Sequence, residues 1–269
     1  MRSAAPGDYD AYARLFPELG TGEPVPEREF WTREVAPTIL VATLGGEVVG
    51  YAYYRILTGY GYVTNVVTAP AYRGRAIGRT LMGELARRFR AGGASRWCLN
   101  VKPDNAPAIA LYRRMGMARA YESWVLFFGW ELAQKLPAES GIVGRPLAPA
   151  EDSAVESTFS LLPGTLSEGR SHGGRHFLGL FEGDAPRGVA ALNMNLRPNL
   201  VGSFPFRATR PSLTGNLVAL MHSQAGPHKT EAQVVVENDA AIAEKLLSAG
   251  AQIRMRMEHY RGDIPQSLP

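Results

Sequence analysis

Apolar and polar positions recur along this chain with two different periods. Alternation with a period of two over residues 38–43 and 47–57, joined at Gly45-Gly46, predicts a hairpin, and the β-branched run 63–68 predicts a further strand. Pro70 ends that run, and a short turn carrying Gly74 and Gly78 leads into helical spacing of apolar residues over 77–89. Gly92-Gly93 stops the helix, 96–101 predicts a strand, and Pro103-Asp104-Asn105 opens a second helix that Gly116 closes. Upstream, 8–19 and 27–35 read as short helices; downstream, 123–128 reads as a closing strand. Order and lengths predict a mixed α/β layered domain.

Around residues 135–145, Pro137, Gly141 and Gly144 read as a linker, so two domains are expected, 1–140 and 141–269. The later part restarts the same order. A helix is predicted over 150–162, strands over 176–181 and 188–196, and the strand 233–236 leads into Asn238-Asp239-Ala240-Ala241-Ile242-Ala243 and then Gly250. That segment parallels Asn105-Ala106-Pro107-Ala108-Ile109-Ala110 and Gly116, with Lys245 or Leu246 in the place of Tyr112.

Composition narrows the class. With 45% hydrophobic and 20% charged residues the chain falls in the range of globular proteins, and it has no apolar run long enough for a membrane span. The first 30 residues, with Asp8, Glu18 and Glu23, do not read as a signal peptide, so a cytoplasmic protein is expected. The single cysteine, Cys98, reads as a core residue in a reducing compartment. His172 and His176 are separated by Gly173-Gly174, which argues against a shared helix face, and no metal is expected.

Charge is concentrated near the glycine-spaced turn. Residues 1–140 hold 17 Lys/Arg against 13 Asp/Glu while 141–269 hold 12 of each, which assigns the net charge of +4 to the first half. Residues 73–102 carry eight basic side chains and only one acidic one, Glu84. The total is modest and no helix-turn-helix, zinc-finger or aromatic-basic repeat accompanies it, so nucleic acid is not the expected partner.

A strand, a Gly-spaced turn and a helix N-terminus present successive backbone N–H groups backed by the positive end of the helix dipole, which suits a pyrophosphate. There is no Gly-Lys-Ser/Thr for a magnesium nucleotide and no Gly-x-Gly-x-x-Gly after a first strand. The segment Arg73-Gly74-Arg75-Ala76-Ile77-Gly78 resembles the acyl-CoA-binding motif of the GCN5-related N-acetyltransferase (GNAT) superfamily, Arg or Gln, two residues, Gly, one residue, then Gly or Ala. Arg73, Ala76 and Gly78 take those positions, with Ala76 replacing the first glycine. Alanine there can keep φ negative, so binding is expected to be retained and weakened; a required positive φ would be penalised.

The resemblance implies a GNAT fold with a mixed, mostly antiparallel sheet, followed by a second, smaller and degenerate GNAT-like domain. It implies acetyl-CoA as co-substrate, with the backbone of Arg73, Gly74, Arg75, Ala76, Ile77, Gly78, Arg79 and Thr80 on the pyrophosphate and Val66, Val67 and Thr68 paired with pantetheine. Asn105 reads from its position as a helix cap, and the resemblance adds a contact to CoA. Tyr112, two turns further on, reads either as a core aromatic or, by resemblance, as the acid that protonates the departing thiolate, with an unperturbed phenol nearly matched to that thiol. No carboxylate lies in residues 60–68; Asn65 could orient a water or substrate, and Glu122 is the nearest acidic candidate for a base, against a plain solvated strand residue. The base need not be a side chain if positioning and ordered water suffice.

Residues 17–26, flanked by Tyr9, Tyr12, Phe30 and Trp31, read either as an acceptor-pocket loop or as a packed surface loop. Residues 212–226 contain no basic Gly-spaced turn, so the second half is expected to have lost CoA binding and to shape the acceptor pocket, extend the sheet or pair two copies as a homodimer. The function expected is acetyl transfer to the primary amine of a small molecule or peptide. The alternative is a non-catalytic acyl-CoA-binding or sensing protein whose second half is a partner surface.

Overall fold

The computed structural model describes residues 1–171 and 174–266. Backbone contacts divide it into two compact units. Met1–Ala120 forms the first together with the chain from His259 onward, and Tyr121–Glu258 forms the second.

The first unit contains strands β1 (Arg2–Ser3), β2 (Ile39–Leu44), β3 (Glu47–Leu57), β4 (Tyr60–Thr68) and β5 (Arg96–Val101), hydrogen-bonded in that order. Its helices are α1 (Tyr9–Leu15), α2 (Arg28–Phe30), which continues into a wider π-helical turn Trp31–Val35, α3 (Ile77–Ala91) and α4 (Ala106–Arg114). Only β4 and β5 run parallel; the other pairs named are antiparallel. In α3 the apolar stripe Leu81, Met82, Leu85, Ala86 and Phe89 is wholly buried against Trp97, Leu99 and Val101 of β5 and Val63 of β4. The opposite face packs Tyr12, Leu15 and Trp31 on Val41, Tyr51 and Val67.

β6 (Ala118–Gly129) leaves the first unit after Ala120, and Ser123–Gly129 pairs antiparallel with β11 of the second unit. The expected boundary near 140 therefore falls inside the second unit. The residues expected to close the first unit's sheet pair elsewhere, and the chain's C-terminal strand lies beside β5 in their place. Ile264 N–H donates to Ser95 O at 2.9 Å, and Tyr260 is fully buried among Phe89, Trp97 and Met115. The residue pattern of these strands marks which positions are buried and does not name a partner.

The second unit continues with β7 (Val143–Pro146), α5 (Asp152–Thr158), α6 (Thr165–Ser171), β8 (Arg175–Glu182), β9 (Ala185–Arg197), β10 (Leu200–Ala208), α7 (Thr214–Ala225), β11 (Glu231–Glu237), α8 (Ala240–Ala249) and β12 (Gln252–Asp263), whose last residues are the strand just described. Its sheet order is β6-β11-β10-β9-β8-β7. The path β10, α7, β11, α8 repeats β4, α3, β5, α4: both parallel pairs run for four residues, 60–63 on 96–99 and 200–203 on 231–234, before the register ends. Among the described residues no helix is long and apolar enough to cross a membrane.

Candidate active site

Two local features shape the first unit's site. Parallel pairing stops at Val63 on Leu99, and the β3 register skips from Val63 to Asn65, so Thr64 is a bulge at the start of a gap between β4 and β5. Beyond it Val66, Val67 and Thr68 keep their antiparallel partners in β3 and turn their other backbone edge toward that gap. The Thr64 hydroxyl is buried without a hydrogen-bond partner.

After β4 the chain makes one short turn and enters α3. Gly74 has φ +77° and Ala76 has φ +59°, ψ 11°, the left-handed conformation. The expectation that Ala76 keeps φ negative is corrected: the backbone has a left-handed φ at both Gly74 and Ala76 ahead of the helix, a conformation of the kind found in anion-binding nests. Ala76 also accepts at its carbonyl from the Thr80 N–H at 3.0 Å and the Thr80 hydroxyl at 3.1 Å, which fixes the first turn. The N–H groups of Ile77, Gly78 and Arg79 open the helix, where no intrahelical acceptor precedes them.

A β-carbon added at Gly74 would meet nothing within 4 Å, and one at Gly78 would meet Leu111 Cδ2 at 3.3 Å. Space is thus left at Gly74, while Gly78 is closed in by Leu111. Arg73 is tied down, its Nη2 on Glu18 Oε2 at 2.6 Å and its Nε on Thr68 O at 3.3 Å, while Arg75 lies over the Tyr72 ring at 5.3 Å. Left-handed geometry costs a non-glycine residue about 1 kcal/mol. Ala76→Gly is therefore expected to stabilise the first unit by up to that amount in thermal denaturation; an unchanged or lowered midpoint would refute the strain.

Asn105 caps α4 through its side-chain oxygen, which accepts from the Ala108 N–H at 3.3 Å. Seven residues later Tyr112 is 7% exposed, and burial pushes its hydroxyl up to about 12. The near match to a thiol expected of an unperturbed phenol is therefore absent; the group holds its proton throughout the neutral range. Glu122 lies in the second unit, where its carboxylate is 3.7 Å from Arg256 and its carbonyl accepts from the Asn238 N–H. The structure brings Tyr112, Asn105 and the turn into one unit and places Glu122 in the other.

Three residues that carried no sequence signal lie together on the sheet face opposite α3. Asn100 Nδ2 donates to the Tyr62 hydroxyl at 3.1 Å, and Asn100 Oδ1 is 3.0 Å from His259 Nδ1. A lone histidine on an alternating strand gives no hint of this until the C-terminal strand is placed beside β5.

Comparison with known proteins agrees with this geometry. The family model described as the acetyltransferase (GNAT) family matches residues 9–117. The chain is 38% identical over 120 residues to N-alpha-acetyltransferase RimI of Mycobacterium tuberculosis, covering 42% of this chain and 73% of that protein. The chain belongs to the GNAT family. It is also 37% identical over 83 residues to streptothricin acetyltransferase of Streptomyces lavendulae, covering 30% of this chain and 44% of that protein. Four such curated relatives are spanned over only 33–53% of their length. A solved structure titled as a tandem GNAT protein from the clavulanic acid biosynthesis pathway superposes with a TM-score of 0.63 at 17% identity, covering 99% of this chain and 98% of that one, which shows the fold.

The second unit differs at the corresponding place. Where β10 turns into α7, Arg210 grips the Glu139 carboxylate, Nη2 to Oε2 at 2.6 Å and Nε to Oε2 at 3.0 Å. Asn216 accepts the Glu139 N–H at 2.8 Å and donates to its carbonyl at 2.9 Å. A β-carbon at Gly215 would lie 2.3 Å from Pro137 O, so the linker is pressed onto the first turn of α7. Further along, Arg207 of β10 reaches Glu237 of β11 at 2.6 Å where their parallel register has ended. Asp239, not Asn238, caps α8, accepting from the Ile242 N–H, which puts buried Leu246 seven residues on in the place of Tyr112.

Arg210, with help from Ser212, holds the Glu139 carboxyl down at about 2. A lowered carboxylate contributes stability above its ordinary range near 4.3 that is lost as pH falls toward the folded value. The stability difference between the native chain and Glu139→Gln should therefore shrink between about pH 5 and pH 2; a difference constant over that window would contradict the pairing. Among the described residues no group of three or more His, Cys, Asp or Glu is placed to hold a metal ion, and His172 lies outside them.

Proposed function

We propose that the first unit transfers an acetyl group from acetyl-CoA to a primary amine by direct attack. The observation that supports this most strongly is the pair of left-handed residues at the N-terminus of α3, next to a β4 edge that β5 does not cover. An acyl-CoA fits these residues. The N–H groups from Arg73 to Thr80 would hold the pyrophosphate, the edge of Val66, Val67 and Thr68 would pair with the pantetheine amides, and Asn105 would meet the same arm from the α4 cap.

The bound thioester would supply an activated acyl group and a thiolate leaving group. The chain's part is to exclude water, orient the carbonyl and deliver a proton. Tyr112, kept protonated by burial, serves as that donor. The Thr64 hydroxyl at the mouth of the gap is an unused donor available to an acceptor or its water. With Glu139 in the place of the phosphates and Leu246 in the place of the phenol, the second unit takes no CoA, and one acetyl-CoA binds per chain.

The names of the relatives set the first acceptors to try: peptide N-termini and streptothricin, beside polyamines and amino acids. The test is thiol release from acetyl-CoA against that panel, with thermal stabilisation by acetyl-CoA measured in parallel. Stabilisation with turnover of at least one amine is expected. Stabilisation by a nucleotide or DNA and not by acetyl-CoA would overturn the assignment of the turn; stabilisation by acetyl-CoA with no turnover would mark a sensing protein.

A further inference from the structure

We infer that a pocket in the second unit, at the far end of its parallel strands from Arg210 and Glu139, binds a small organic carboxylate, with Arg254 pairing with the anion. The site is independent of the acetyl transfer proposed for the first unit.

The pocket holds about 460 Å³, and the residues that line it all belong to the second unit. Volumes of this size suit small-molecule ligands. Strand alternation makes its floor. Leu126 and Phe128 of β6, Val201 of β10, and Ala232 and Val234 of β11 enter the core with α7 and α8, so Phe127, Leu200 and Glu231 point to the other face of the sheet. On that face α5 and α6 pack over Phe177 and Phe181 of β8 and Val189 and Ala191 of β9, whereas the pocket lies over β6, β10 and β11. Leu200 on Glu231 is the first pair of the β10–β11 parallel register, and Arg207 and Arg210 lie beyond its last.

Hydrogen bonds fix the rim. Lys229 Nζ donates to Met194 O and Arg197 O, each at 2.6 Å, and to Leu200 O at 3.3 Å, which ties the β9–β10 turn to the chain entering β11. Asn199 O accepts the Thr230 and Glu231 N–H groups at 2.9 and 3.1 Å, and its Nδ2 donates to Glu231 Oε2 at 2.7 Å. A wall held in this way needs little further ordering when a ligand arrives.

β12 supplies the rest of the lining through Gln252, Ile253 and Arg254. Ile253 is 41% exposed and Phe127 is half-buried, so a ligand's hydrocarbon part would remove apolar surface from water there. Among the described residues no hydrogen bond or ion pair engages Arg254.

The charges choose the ligand. Arg197 and Arg254 are positive and Glu231 is negative, which leaves the lining at net +1. A monoanion neutralises that excess, whereas a phosphate dianion would overshoot it and meet the Glu231 carboxylate. The Arg254 guanidinium can give a carboxylate two parallel N–H bonds.

The test is NMR on the full chain, following the Ile253 methyl and Arg254 Nε signals. The probes are benzoate and hexanoate, each beside its amide as the uncharged counterpart, and inorganic phosphate. At least one carboxylate should shift both signals saturably in the millimolar range, with its amide and phosphate binding about tenfold more weakly or less. Arg254→Gln should weaken that carboxylate by about tenfold and leave the melting midpoint unchanged. No saturable shift at these signals with either carboxylate overturns the inference. So does an amide or phosphate that binds as tightly as the carboxylate, or an Arg254→Gln chain that keeps the native affinity.

Discussion

Replacing Tyr112 with Phe should lower acetyl transfer by about 10²–10³-fold while acetyl-CoA still binds and the first unit still folds. The ring stays in the core under α3 in either residue, so packing is preserved and only the hydroxyl is lost. A loss of that size is about 3–4 kcal/mol of transition-state stabilisation, within the range of a positioned general acid. Because burial holds the Tyr112 hydroxyl up at about 12, no alkaline fall in rate should come from this residue below that pH. A Tyr112→Phe enzyme with the native rate on any accepted amine would remove the phenol from the mechanism. Loss of acetyl-CoA binding together with rate would make it a packing residue instead.

The second large effect concerns Tyr260. It is fully buried in the first unit's core, although it follows the whole second unit in the chain. Truncation of a buried aromatic to alanine costs about 3–5 kcal/mol, a sizeable share of the stability of a domain this size. Tyr260→Ala should therefore lower the denaturation midpoint of the first unit and its stabilisation by acetyl-CoA, leaving the second unit's transition in place. A variant whose acetyl-CoA-dependent transition is unmoved would show that the C-terminal strand is dispensable to the site.

What could be read in the sequence was local. The strand ending at Thr68, the turn with Gly74 and the caps at Asn105 and Gly116 are contiguous signals, and the structure shows each where the pattern placed it. Ala76 was misread because a methyl group says nothing about φ when the backbone around it dictates the conformation. The pairing of 123–129 with 231–237 was hidden because alternation assigns a strand a buried face without naming its neighbour. Asn100 and His259 are 159 residues apart and meet only through that exchange, so nothing local marks either one. Glu139 looked like linker, and only the folded second unit shows it seated on Arg210.

The exchange also orders events during synthesis. Ser95 must wait for Ile264 before its strand has a neighbour on that side, and closing a loop of that length costs on the order of 4–5 kcal/mol in chain entropy. Tyr121–Glu258 is contiguous and needs no such wait. A nascent chain paused before His259 would carry a finished second unit and an incomplete first one, its Trp97 and Leu99 not yet covered by Tyr260. The half of the protein made first is thus the half that folds last.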